Sequence, residues 1–276
     1  IMVANLDTYL DPSWNYGGYM ELYNPTDVSA NLSHYYVSDD PDNLTKFRLP
    51  IDIGAIPAHG YKNLWFDHYD WRYGHYQVGI ELNPEGGTLY IADDDGTLVA
   101  SQAYPPCISR ASYARITDGA DEWRYTSTPS PEATNDGSTF ADKQLPAPEV
   151  LQDSQLFTGT LRVSVAIPEG ALLRYTTDGS VPTLTNGTTS NTGAISVKKT
   201  SVYRFRLFKD GMLPSPVVTR SYILRDKEYP LPILSITTAN DNLYSSAYGL
   251  FAKGPNGRAG NGQDGKCHWN MGWARP

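Results

Sequence analysis

Apolar and polar positions along this chain alternate in short bursts, and turn residues cut each burst before a helical period can develop. The clearest burst is Val202-Tyr203-Arg204-Phe205-Arg206-Leu207. A period of two places Tyr203, Phe205 and Leu207 on one face of a strand and the arginines on the other. Leu161 to Val165 alternates in the same way. Lys209-Asp210-Gly211 turns the chain, and Ser221-Tyr222-Ile223 reads as a closing strand. Nearer the start, Tyr19 to Tyr23 stops at Asn24-Pro25, Tyr35-Tyr36-Val37 stops at Ser38 to Pro41, and Tyr61 to Phe66 follows Ala58-His59-Gly60. Thr88 to Ala92 and Thr97 to Ala100 flank Asp93-Asp94-Asp95-Gly96, a hairpin signal. Leu173 to Thr183 reads as a strand running into a tight turn, with Asp178-Gly179 supplying a positive φ and Pro182 stopping the ladder. Leu231 to Thr237 reads as a further strand, and Asn240 to Tyr244 as the start of a short helix.

Strands this short and this regularly punctuated predict an all-β chain. The expected architecture is two tandem immunoglobulin/fibronectin-III-like β-sandwiches plus a short C-terminal segment of an incomplete third domain. The expected bounds are 1–137 for the first sandwich, 138–148 for a linker, 149–224 for the second, and 225–276 for the incomplete domain. The linker ends Leu145-Pro146-Ala147-Pro148, and its prolines favour an extended, semi-rigid spacer. The length of 276 residues suits about two domains. The 20 Tyr, 6 Trp, 24 Gly and 20 Pro strengthen the β reading, because aromatics suit pleated half-buried surfaces and Gly and Pro punctuate them.

A net charge of -8, with no basic cluster beyond Lys198-Lys199, argues against nucleic acid and against anionic membranes as partners. No apolar run is long enough to insert as a bilayer-crossing helix. The opening Ile1-Met2-Val3-Ala4-Asn5 reads as the middle of a strand, so residues ahead of it are expected. The two cysteines, Cys107 and Cys267, are far apart and read as free or buried thiols rather than a bridge.

Three stretches resemble known families. Leu173-Arg174-Tyr175-Thr176-Thr177-Asp178-Gly179-Ser180-Val181-Pro182-Thr183, with the strand order around it, resembles the chitobiase/beta-hexosaminidase C-terminal domain. That resemblance implies a fibronectin-III-like accessory module of secreted proteins, one that supplies no catalytic residues. Glu21-Leu22-Tyr23-Asn24, Leu32 to Tyr35, Ile56 to Tyr61, Trp65-Phe66-Asp67, Gly86 to Leu89, Asp95-Gly96, Arg115 to Gly119 and Thr128 to Pro131 with Asn135 together resemble a bacterial lamin-tail domain. It implies an immunoglobulin-like sandwich over 1–137, with Trp65 and His75 in structural roles. The family's opening strand begins a few residues earlier than this chain. Pro232 to Ser235, Asp241-Asn242-Leu243, Gly249-Leu250-Phe251 and Trp273 to Pro276 resemble the opening of a CotH kinase-like domain. Its catalytic core would lie beyond Pro276, so no kinase residue is assigned.

Candidate chemistry is sparse. Gly260-Asn261-Gly262-Gln263-Asp264-Gly265-Lys266 fits two phosphate-loop patterns. It lacks the preceding buried strand, the following helix and a Ser or Thr for magnesium, so it reads as a loop. Asp93 to Asp95 and the trio Asp39, Asp40 and Asp42 have the carboxylates a calcium ion takes, without the spacing of a calcium loop, and read as turns. Cys267 and His268 are too few ligands for zinc. His68 to Tyr76 has the most unusual composition, and Trp71, Tyr69, Tyr73 and Asp70 are the candidate binding residues, rings for stacking with a hydrogen-bonding carboxylate.

The expected function is a non-catalytic accessory region of a secreted or surface-attached bacterial multidomain protein, spacing or docking its own downstream CotH kinase-like domain. The alternative is a glycan- or peptide-binding adhesion module using the aromatic loop. The expected location is extracellular or at the cell surface. The expected partners are a surface glycan or protein. No cofactor, catalytic residue or metal ligand is expected.

Overall fold

The computed structural model describes residues 1–6, 8–12, 16–66, 77–245 and 250–251. The chain divides into two units, Ile1–Lys143 and Gln144–Pro276. Strand dominates both, as the alternation predicts.

The first unit contains β1 (Gly18–Tyr23), β2 (Ala30–Asn31), β3 (Tyr35–Ser38), β4 (Phe47–Arg48), β5 (Ala55–Ile56), β6 (Tyr61–Phe66), β7 (Gly87–Asp93), β8 (Leu98–Tyr104), β9 (Ser112–Arg115), β10 (Trp123–Thr126) and β11 (Phe140–Ala141). They form sheets ordered β4-β3-β7-β8, β11-β10-β9, β1-β6 and β2-β5. Met20, Leu22 and Leu64 face a core shared with Val37, Leu49 and Leu89. Trp65 points elsewhere, into a small cluster with Met2 and Tyr19, where Tyr9 stacks on it at 5.5 Å. Irregular stretches are held by buried amides. The Asn24 side chain donates to the carbonyls of Val28, Ile56 and Pro57, while its oxygen accepts from the Thr26 amide. That replaces the backbone pairing a turn leaves unmade. Asn5 does the same for the opening segment, bridging Tyr9 and Gly17.

The second unit contains β12 (Gln155–Phe157), β13 (Leu161–Ser164), β14 (Leu172–Thr176), β15 (Thr188–Ser190), β16 (Ala194–Val197), β17 (Ser201–Phe208) and β18 (Val218–Leu224). A five-stranded sheet, β12-β18-β17-β14-β15, faces the pair β13-β16 across one core. The period-two reading of β17 holds: Tyr203, Phe205 and Leu207 are buried, and Leu173 and Tyr222 join them. Arg174 and Arg206 sit directly opposite each other on the other face.

Two expectations change. Leu231 to Thr237 forms no strand, and Leu231, Leu234 and Ile236 are exposed. Pro230 and Pro232 remove ladder donors at its start, and no strand among the described residues pairs with it. The expected spacer 138–148 is divided between the units. Phe140–Ala141 pairs with β10, while Gln144 bridges Leu213 and Leu145 is buried in the second core. Its prolines mark irregular backbone, but Ala141 and Leu145 ahead of them are buried. The short helix α1 (Asn240–Tyr244) forms as expected.

Candidate functional site

The turn after β14 is a polar knot. Asp178 accepts from the Ser180 amide at 3.0 Å and the Ser180 hydroxyl at 2.6 Å, which hold its carboxyl below the usual range. Gly179 takes φ +83°, as the Asp-Gly pair predicts. Asn186 donates to the Ser180 hydroxyl and the Val181 carbonyl. Arg174 reaches from β14 to the carbonyls of Leu184 (2.8 Å) and Gly187 (2.6 Å), and Arg204 reaches from β17 to Gly179 (2.8 Å). The polar groups that make this segment recognisable are thus spent on the loop itself.

The acidic turns behave similarly. Asp93 accepts from the amides of Asp95 and Thr97 at the β7–β8 hairpin. Asp94 meets His34 Nδ1 at 2.6 Å and Arg48 at 3.3 Å. Asp39 pairs with Lys46 at 2.6 Å, and Asp40 accepts from the Asp42 amide at 2.9 Å. Each of these carboxylates has a local structural partner. Among the described residues no three His, Cys, Asp or Glu side chains gather as a metal site.

The first unit does contain a cavity of about 300 Å³. Met20, Leu89 and Ile91 contribute apolar wall, and Ala100, Ser101 and Gln102 of β8 line one side. The lining also includes Arg115, which lies over the Trp123 ring at 4.7 Å, with Trp123 stacked on Tyr113 at 5.7 Å. One end is acidic. The Tyr61 hydroxyl donates to Asp118 Oδ2 at 2.5 Å, and the Tyr23 ring lies 5.2 Å from the Tyr61 ring. Burial pushes the Tyr61 phenol up, and its bond to the Asp118 carboxylate adds to the shift. Glu21 accepts from the Glu132 amide. Burial nevertheless raises its carboxyl to about 7, with the Glu132 and Asp118 carboxylates adding to the rise. The cavity therefore offers apolar wall, aromatic faces and charged groups of both signs, Glu21 and Asp118 beside Arg115 and the Ile1 amino group.

Tyr69, Asp70, Trp71 and Tyr73 lie outside the described residues, as do His75, the segment Gly260 to Lys266, Cys267 and His268. Cys107 carries a free thiol whose pKa burial raises, which disfavours the reactive thiolate. Sequence reasoning does not single out Glu21, Asp118 or Trp123 as cavity residues. The one faint signal is at Glu21, a carboxylate within the otherwise apolar run of β1.

The family model of the chitobiase/beta-hexosaminidase C-terminal domain matches residues 152–219. The match runs from just before β12 into β18, so it covers most of the second sandwich. That family is a non-catalytic accessory module, and its carbohydrate-active setting points to an extracellular role. No curated protein matches the chain. No helix of the described residues is long and apolar enough to cross a membrane.

Proposed function

We propose that this chain is the non-catalytic accessory region of a secreted or surface-attached bacterial multidomain protein, and that it spaces or docks a CotH kinase-like domain following its second sandwich. The observation that carries the reading is the accessory-module match at 152–219, laid on a sandwich whose distinctive Arg, Asp and Asn side chains close its own loop. A module that uses its polar groups this way gives rigidity and a fixed exit for the chain. The lamin-tail resemblance of 1–137 supports the reading, because it adds a second sandwich of the same architectural kind. The exposed apolar residues Leu231, Leu234 and Ile236 support it too, since they suit a segment that is covered by further structure.

The test is fractionation of cells producing the intact protein, with peptides from both sandwiches quantified by mass spectrometry. The reading expects them in the medium or surface fraction, together with peptides of a kinase-like domain. Recovery confined to cytosol would contradict it.

A further inference from the structure

Two sheets of the first unit end on edges that face one gap, and Ile1 and Met2 already stand in it. Ile1 pairs with β9: its amino group donates to the Tyr113 carbonyl at 2.8 Å, and its carbonyl accepts from the Tyr113 amide at 2.8 Å. Met2 pairs with β1, exchanging both backbone bonds with Tyr19 at 2.9 Å. Successive residues that bond alternately to opposite sides belong to a strand with a neighbour on each side. Ile1-Met2 is therefore the tail of a central strand between β1 and β9. Beyond that tail the two edges are open: β1 ends the pair β1-β6, and β9 ends the sheet β11-β10-β9.

The same alternation fixes what the gap presents. Tyr19 turns its amide and carbonyl toward Met2, so Glu21 and Tyr23 turn theirs the same way, while Met20 and Leu22 turn theirs toward β6. Tyr113 turns its groups toward Ile1, so Arg115 does likewise. Among the described residues no backbone group pairs with those of Glu21 and Tyr23 on this side, or with the Arg115 amide. The Arg115 carbonyl accepts from the Asn135 side chain at 2.9 Å. The cavity of about 300 Å³ occupies this gap: its lining runs along β1 from Tyr19 to Tyr23 and along β9 at Ser112, Ala114 and Arg115. Consecutive residues of β1 point to opposite faces, so a cavity that touches them all lies at the strand's open edge.

We infer that this cavity is the seat of a β-strand formed by the polypeptide directly ahead of Ile1 in the full-length protein, a strand that lies between β1 and β9 and joins β6-β1 and β9-β10-β11 into one sheet. The residue directly ahead of Ile1 exchanges bonds with Glu21, the one before it with Arg115, and the next with Tyr23. Ile1 and Met20 face the core, so the second residue ahead faces it too, beside Leu22, Leu89 and Ile91, and is apolar. Continuity selects this occupant. The slot opens at the Ile1 nitrogen, so a strand from another molecule would have to stop against that atom and meet the cost of association, whereas the connected chain meets neither. Burial lowers the pKa of the Ile1 amino group to about 6, and a peptide amide makes the same bond to Tyr113 without a charge to desolvate. Backbone pairing carries the assignment, which stands whether or not a kinase-like domain follows.

The test compares three forms of the protein by amide hydrogen exchange: the chain beginning at Ile1, the chain carrying the native residues that precede Ile1, and the chain carrying a Gly-Ser repeat of equal length there. The native extension should slow exchange at Glu21, Tyr23 and Arg115 about tenfold or more relative to the Gly-Ser form. Met20 and Leu22, whose amides already face β6, should change less. The thermal transition of the first unit should rise by about 5 °C or more. Proline in place of the second residue ahead of Ile1 removes the donor to the Arg115 carbonyl and should abolish both gains. Equal exchange at Glu21, Tyr23 and Arg115 in the native and Gly-Ser forms overturns the proposal, as does protection that survives the proline. Protection in the native form that falls on dilution would assign the slot to a second copy and also overturn it.

Discussion

Glu21 supplies a quantitative test of the first core. Its carboxyl titrates near 7 in the folded chain, against a reference of 4.5, because burial penalises the charged form. Between those two values the folded state binds the proton more tightly than the unfolded state does. Stability therefore falls as pH rises through that window, and the full penalty is present above pH 7. A shift of this size corresponds to at most about 3 kcal/mol, and partial solvent contact reduces the expectation to about 2 kcal/mol. Glu21→Gln removes the titration and keeps an oxygen that can accept from the Glu132 amide. The variant should match the parent near pH 4 and exceed it by about 2 kcal/mol at pH 8. Urea unfolding followed by tryptophan fluorescence suits the purpose, since four of the six tryptophans, Trp14, Trp65, Trp71 and Trp123, precede residue 144. The difference between variant and parent at each pH isolates Glu21 from other carboxylates. A variant less stable than the parent at pH 8, or a difference that does not change with pH, would refute the reasoning.

Two further predictions concern the polar knot of the second unit. Gly187 has φ +102°, and an added Cβ would meet the Tyr175 carbonyl oxygen at 2.7 Å. Gly187→Ala should therefore destabilise that unit by about 1–3 kcal/mol, read by calorimetry, and an unchanged transition would contradict the strain. Arg174→Ala removes two charge-assisted bonds to Leu184 and Gly187 and should cost about 1.5–3 kcal/mol, with Arg174→Lys recovering only part because an ammonium cannot span both carbonyls. Hydrogen exchange in residues 177–187 should rise in both variants, and equal protection in parent and Arg174→Ala would remove the clamp from the account.

The legible parts of the fold are those where one physical rule acts alone. From Tyr203 to Leu207 β17 is buried on a period of two, so the spacing of Tyr203, Phe205 and Leu207 is enough to place them in the core, while the adjacent Phe208 is buried outside that period. The Asp-Gly turns are legible because few residues other than glycine tolerate positive φ; Gly96 and Gly179 both adopt it. Leu231 to Ile236 misleads because apolar periodicity says nothing about a missing partner, and two prolines outweigh it. The cavity is illegible for a related reason. Glu21, Ala100, Asp118 and Trp123 come from four separate segments, and only tertiary pairing brings them together. The aromatic loop draws attention through composition alone, which identifies unusual chemistry but not where a fold assembles it.

The central claim is that the chain buries two separate β cores. Scanning calorimetry of the whole chain, run alongside tryptophan fluorescence, tests it with one truncation in each core. Leu64→Ala, in the first, should lower the fluorescence-detected transition and leave the other heat-absorption peak in place; Leu173→Ala, in the second, should do the reverse. Each truncation should cost about 2–5 kcal/mol in its own unit. A single transition that both variants lower together would contradict the account.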